Sequence, residues 1–308
     1  MSAGSHEALL EELRPAAFAI AYRMLGSVAE AEDVVQEALL RLHAALERGE
    51  RIESPRAYLA TVATRLSIDV LRSARVRRET YVGEWLPEPL VTDPSEDPAR
   101  QAEMSDSLSL AFLVLLESLS PEQRAAFLLH DVFGYGYGEV AEIVGKSEDN
   151  ARQLAARARR HVDEGRPRFE ASREQREELA RRFFAAARDG EVDALGELLA
   201  DDVVLHGDGG GKAPALARAL FGRSRVARTL RNWVRIGDRI GGVTWRRVDV
   251  NGQPGAMTFD SEGRLISVMA LEIAEGRIQG IRSIVNPDKL QHLGPVADTS
   301  ELMRRSLS

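Results

Sequence analysis

The stretch PEQRAAFLLHDVFGYGYGEVAEIVGKSEDNARQLAARARRH, residues 121–161, decides how the front of this chain folds. Pro121 to Asp131 reads as one helix, Tyr137 to Val144 as a second and Ser147 to His161 as a third. Gly145 suits a left-handed turn and Ser147 an N-cap. Ala141, Ile143, Val144, Ala151, Leu154 and Ala155 fall at helical spacing and can close a seam between the last two helices. The pattern is a helix-turn-helix. Its third helix leaves Glu148, Asn150, Arg152, Gln153 and Arg157 free to face a groove, with Ser147 at its head and Arg159 and Arg160 completing the expected DNA-binding set. There Asn and Gln fit the adenine edge, and Arg fits guanine or phosphate. The competing reading is a solvated basic helix in a bundle.

Outward from this motif, Glu7 to about Arg168 carries apolar residues every three or four positions, as in Val34, Val35, Ala38, Leu39 and Leu42. The run breaks at residues 83–104, where Pro87, Pro89, Pro94 and Pro98 sit among acidic side chains. Such a composition cannot continue a helix and reads as a linker, with a reach of at most roughly 70 Å when extended. Within it, Trp85-Leu86-Pro87-Glu88-Pro89 places an apolar ring beside two prolines, which calls for a docking surface. Past Ala171 two helical segments precede short β-branched stretches punctuated by glycine, with a hairpin around Glu275-Gly276. An all-α front is thus followed by an α+β back.

The chain has 308 residues and a net charge of −7. Up to Ala171 there are 20 basic and 29 acidic residues, and after it 21 and 19, so the acidity lies in front. Within the front half charge is segregated. Glu30, Glu32, Asp33 and Glu37 form an acidic stretch, and Arg72, Arg75, Arg77 and Arg78 a basic one, which implies two kinds of partner. With no cysteine there are no disulfides and no thiolate metal sites or nucleophiles. No apolar run approaches a membrane span and the N-terminus is unlike a signal peptide, so a cytoplasmic protein with no membrane partner is expected.

Ala31 to Leu42 (AEDVVQEALLRL), Ser54 to Leu59 (SPRAYL) and Arg65 to Arg78 (RLSIDVLRSARVRR) together resemble region 2 of bacterial RNA polymerase sigma factors. The front half resembles the extracytoplasmic-function subfamily, which retains regions 2 and 4. WLPEP (Trp85 to Pro89), DGGGK (Asp208, Gly209, Gly210, Gly211, Lys212) and NPDKL (Asn286, Pro287, Asp288, Lys289, Leu290) resemble motifs of sigma factors with a fused SnoaL-like domain.

The resemblance implies two all-α sigma modules plus a C-terminal α+β SnoaL-like cone. Region 2 would cover residues 6–82, the linker 83–104, region 4 105–168, the SnoaL-like domain 172–293 and a flexible tail 294–308. It implies that Asp33, Gln36 and Glu37 dock on core RNA polymerase. Arg72, Arg75, Arg77 and Arg78 would serve the melted minus-ten element of promoter DNA, and the helix-turn-helix the minus-thirty-five element. The function implied is transcription initiation, regulated in cis by the C-terminal domain through WLPEP, DGGGK and NPDKL, which makes a dedicated anti-sigma factor unnecessary.

Two other readings stay in view: a one-component repressor with a ligand-binding cone, and an isomerase- or cyclase-type enzyme. For the enzyme, Asp202, His206, Asp208, Asp260 and His292 are the acid or base candidates, with Trp233, Trp245 and Phe259 lining a pocket. Their spacing fixes no nucleophile, metal cage or acid–base pair, so no enzyme activity, catalytic residue, metal or cofactor is expected. The glycine run with Lys212 lacks the strand-loop-helix frame of a phosphate-binding loop. A small-molecule ligand of the cone is left open.

Overall fold

The computed structural model describes residues 3–79, 81–93, 107–165 and 172–307. Two compact units emerge: one holds the helices up to Glu79 and those from Leu113 to Gly165, and the other holds residues 81–93, 107–112 and those described from 172 onward.

The first unit begins with α1 (Ala3–Leu25), α2 (Val28–Glu47) and α3 (Pro55–Glu79). Helix α2 starts where the Ser27 hydroxyl accepts the Glu30 amide. It buries Ala31, Val34, Val35, Ala38, Leu39, Leu42 and Ala45 along one stripe, the spacing of an amphipathic helix. Then come α4 (Leu110–Leu116), α5 (Pro121–Phe127), α6 (Tyr137–Val144) and α7 (Glu148–Gly165). The helix read over 121–131 departs from α geometry after Phe127 and continues as a π turn, Leu128–Val132. The wider turn lets the Phe133 amide reach Leu128 O, with His130 Nδ1 2.8 Å from Tyr135 O. Gly145 ends α6 at φ +69°, and Ser147 accepts the Asn150 amide at the head of α7. The seam is apolar: Ala126, Leu129, Val140, Ala141, Ile143, Ala151 and Ala155 are buried together.

In the second unit β1 (Val91–Thr92) is followed by α8 (Arg173–Asp189), α9 (Val192–Leu198), β2 (Leu199–Asp208), β3 (Leu220–Phe221) and α10 (Arg223–Arg239). Strands β4 (Thr244–Val250), β5 (Gln253–Phe259), β6 (Leu265–Ala274) and β7 (Arg277–Ile284) and helix α11 (Thr299–Leu307) complete it. The strands form one sheet in the order β1-β4-β5-β6-β7-β2-β3, antiparallel except for the β2–β7 pair. Phe183 of α8, Leu195 of α9 and Leu230 of α10 pack on Leu205, Leu271 and Ile281 of the sheet.

Within the linker Val91 and Thr92 form a strand beside Val250 and Asp249. Residues 94–106 lie outside the described residues. One expectation is corrected here: residues 294–307 are not a flexible tail, since the Leu265 amide bonds Pro295 O and the Ala297 amide bonds Leu265 O. Asp298 then caps α11, and Leu302 is buried. Three apolar positions, Val296, Leu302 and Met303, give this segment a face to bury, which its position at the chain end hid.

Candidate functional site

Asp208, fully buried at the end of β2, is the hub of the second unit. Its Oδ1 accepts the Tyr81 hydroxyl at 2.5 Å, and its Oδ2 accepts the Leu86 amide at 2.8 Å and Lys289 Nζ at 2.6 Å. Lys289 Nζ also donates to Leu86 O and lies 4.8 Å from the Tyr81 ring and 4.4 Å from that of Trp85. A buried ammonium is thus met by a carboxylate, a carbonyl and two ring faces, the compensation that burying a charge requires. Asn286 Nδ2 donates to Tyr81 Oη at 2.8 Å. Burial first, and then the Asp208 carboxylate, push the Tyr81 phenol above its ordinary value.

The three motifs therefore meet in one latch. Leu86, Pro87 and Pro89 of WLPEP are buried, while Trp85 and Glu88 are half-buried. In NPDKL, Asn286 and the fully buried Leu290 flank the short helix Pro287–Lys289, and Lys212 of DGGGK pairs with Asp288 at 2.6 Å on the surface. Gly209, Gly210 and Gly211 carry the chain round a tight turn against Ala213, Asn286 and Val82.

Further along the linker, His292 Nε2 lies 2.9 Å from Pro89 O, and Glu84 Oε1 lies 2.6 Å from His206 Nδ1. Burial alone would raise the Glu84 carboxyl; the hydrogen bond and charge of His206, with Arg282, hold it below its ordinary value. Asn251, at φ +53° in the β4–β5 turn, holds both ends of a loop. Its Oδ1 accepts the Leu90 amide and its Nδ2 donates to Leu108 O, each at 2.9 Å.

In the first unit, Asp33, Gln36, Glu37 and Leu40 are exposed on one face of α2, beside a groove lined by Asp33, Glu37, Leu66 and Val70. On α7, Ser147, Asn150, Arg152, Gln153, Arg157 and Arg160 are exposed, while Arg159 binds Asp131 at 2.6 Å. Arg152 pairs with Glu148 and lies over the Tyr137 ring at 4.9 Å. Arg72 binds Glu122 at 2.6 Å, and Arg65 donates to Glu142 O and Ile143 O. Arg124, buried, donates to Met24 O at 2.6 Å and Leu116 O at 2.9 Å. The side chains of Arg75, Arg77 and Arg78 lie outside the described residues.

A cavity of about 300 Å³ lies between sheet and helices of the second unit. Strand register explains its floor: Trp245, Thr258 and Ser267 are paired across three strands, and Met269, Ser283 and Gly207 across the next row. Trp233 and Ile236 of α10 and Leu302 and Met303 of α11 also line it. Among the described residues its wall holds no carboxylate, imidazole, ammonium or guanidinium.

Residues 9–77 match the family model for sigma-70 region 2, 109–162 that for sigma-70 region 4, and 180–288 that for the SnoaL-like domain. The chain is 41% identical over 288 residues to the ECF RNA polymerase sigma factor SigJ of Mycobacterium tuberculosis, covering 91% of each. The chain belongs to the ECF RNA polymerase sigma factors. It is 34% identical over 277 residues to the probable ECF sigma factor SigI of M. tuberculosis, covering 89% of this chain and 91% of SigI. The crystal structure of M. tuberculosis SigJ superposes with a TM-score of 0.73 at 37% identity, over 92% of this chain and 98% of that one.

As a sigma factor of this build, the chain is a transcription initiation factor that works with core RNA polymerase and promoter DNA. The candidate acids and bases of the cone do not converge. Asp202 is exposed, His206 and His292 engage the linker, Asp208 is the latch hub and Asp260 is held in a turn by Arg264. Trp233 and Trp245 do line the cavity, but Phe259 does not and lies under Arg246 at 5.3 Å. Tyr81, at the end of the stretch expected for region 2, is part of the latch. Asn251 and Glu84 escaped the sequence reading, although Asn251-Gly252 between alternating stretches is a strong hairpin signal.

Proposed function

We propose that this sigma factor is regulated in cis, its C-terminal domain controlling how far the linker between regions 2 and 4 can extend. The observation that carries this is the pair of hydrogen bonds from the Asn251 side chain: Leu90 and Leu108, with 17 residues between them in sequence, are tied to one amide. Seventeen extended residues could reach about 58 Å. At about 3.4 Å of duplex per base pair, a closure that holds Leu90 near Leu108 withholds up to about 17 base pairs of reach between regions 2 and 4. The Asp208–Lys289 latch fixes the linker's entry in the same manner. Arg72 bound to Glu122, and Arg65 on the carbonyls of α6, support the same closed state, with a DNA-facing arginine occupied internally.

In this reading Asp33, Gln36 and Glu37, with the exposed Leu40, dock on core polymerase. Asn150, Arg152, Gln153, Arg157 and Arg160 read duplex, with Ser147 at the helix head. Arg159 has a structural share through Asp131, and no dedicated anti-sigma factor is required. The cavity acts as a binding site and not a catalytic one, because its walls offer hydroxyls and apolar surface with no acid–base group. A neutral apolar molecule of about ten waters' volume fits it. Truncation after Ala171, Trp85→Ala and Asp288→Ala are expected to change promoter-dependent transcription with purified core polymerase at least threefold; unchanged output from all three would end the proposal.

A further inference from the structure

Helix α10 carries Arg223, Arg225, Arg228, Arg231, Arg235 and Arg239 against one carboxylate, Asp238. Elsewhere arginines are commonly committed, as Arg14 is to Glu32, Arg41 to Glu37, Arg181 to Glu178 and Arg282 to Glu272. Among the described residues, Arg223 is the one arginine of α10 paired with a carboxylate, that of Asp201 at 2.8 Å. Among the described residues the other five have no carboxylate within 4 Å, and Arg231 Nε is buried without a partner. Helical geometry, at about 100° and 1.5 Å per residue, places Arg225, Arg228, Arg231, Arg235 and Arg239 within about 120° of arc and about 21 Å of length. The opposite side of the helix faces inward through Val226, Ala227, Leu230 and Trp233, so the stripe is held on a rigid element.

We infer that this arginine stripe is a second DNA-binding surface, one that holds the phosphate backbone of duplex DNA without reading its sequence. Charge argues first: five uncompensated guanidiniums on a chain of net charge −7 repel one another until an anion meets them. Spacing argues next, because five cations over about 21 Å face a strand with one phosphate per 3.4 Å of axis, and planar forks suit phosphate oxygens. Composition separates DNA from an acidic protein. The exposed residues of α10 are Ser224, Arg225, Arg228, Asn232, Arg235, Asp238 and Arg239, with no exposed apolar side chain to form the dry centre of a protein interface. The stripe lies outside the regions 2 and 4 that make this chain a sigma factor, and it depends on neither the latch nor the cavity.

The test is fluorescence anisotropy of the full chain with a 40-base-pair duplex of arbitrary sequence, across 25 to 200 mM salt, beside the quadruple variant R225Q/R228Q/R235Q/R239Q. The slope of log affinity against log salt should fall by about three to four, at about 0.9 for each phosphate no longer neutralised, with affinity at 50 mM salt reduced at least tenfold. The same four changes to Lys should keep the slope. R157Q/R160Q in α7 should weaken binding separately, its loss adding to that of the quadruple variant. An unchanged slope in the Gln variant, an equal loss in the Lys variant, or no measurable binding by the parent chain at 25 mM salt would each overturn the inference. Intact DNA binding with lost binding to poly-L-glutamate would assign the stripe to an acidic protein, and overturn it as well.

Discussion

Gly210 sits at φ +59°, and a Cβ built there would come 2.2 Å from Asn286 Nδ2; at Gly211, φ +72°, a Cβ would meet Val82 at 3.0 Å. The DGGGK glycines are thus explained by close approach of NPDKL on one side and the linker on the other. Gly210→Ala should cost about 1–3 kcal/mol, read as a lower unfolding midpoint of the second unit. Glu84 offers a pH test. Its carboxyl is held below the ordinary 4.5 in the docked linker, so its contribution is present above about pH 4.5 and fades as pH falls through the lower folded value. Partly exposed, the pair with His206 contributes on the order of 1 kcal/mol. Protease protection of the linker should therefore differ between the parent and Glu84→Gln at pH 6, and the difference should shrink progressively as pH falls below 4.5. These residues were legible unequally: the motif residues stand out, but nothing local to Asp208 or Lys289 tells that they pair across 81 positions.

Among the elements, the helix-turn-helix was readable nearly to the residue, because glycine at a left-handed turn, a serine cap and small seam residues are local signals. The π turn after Phe127 was not, since it answers to tertiary packing around Phe133 and Tyr135. Helix α11 was missed for a related reason: nine residues at a chain end have weak helical preference until a cavity supplies the surface they cover. Arg124 shows the same limit. No local signal sets it apart from the other arginines, yet it is 2% exposed and bound to carbonyls of α1 and α4, with Glu117 at 2.8 Å. Arg124→Ala strands these acceptors and should destabilise the first unit by roughly 3–5 kcal/mol in a denaturant titration. A variant within 0.5 kcal/mol of the parent would show that the helices of regions 2 and 4 do not depend on it.

At the scale of the whole molecule, the net charge of −7 conceals an acidic face on α2, a basic reading helix and an arginine stripe on α10. In the proposed function these segregated surfaces carry the activity, and the linker controls whether those of regions 2 and 4 act together. Asn251→Gly is the probe of that control, because glycine accepts the positive φ of the turn and keeps the backbone bond to Leu90 O while removing both side-chain bonds, to Leu90 and Leu108, and with them the tie between those two positions. Run-off transcription with purified core polymerase, from a promoter selected with the parent chain, should give the same start site with at least threefold more transcript for Asn251→Gly. Equal or lower yield from a folded variant would contradict control by linker closure.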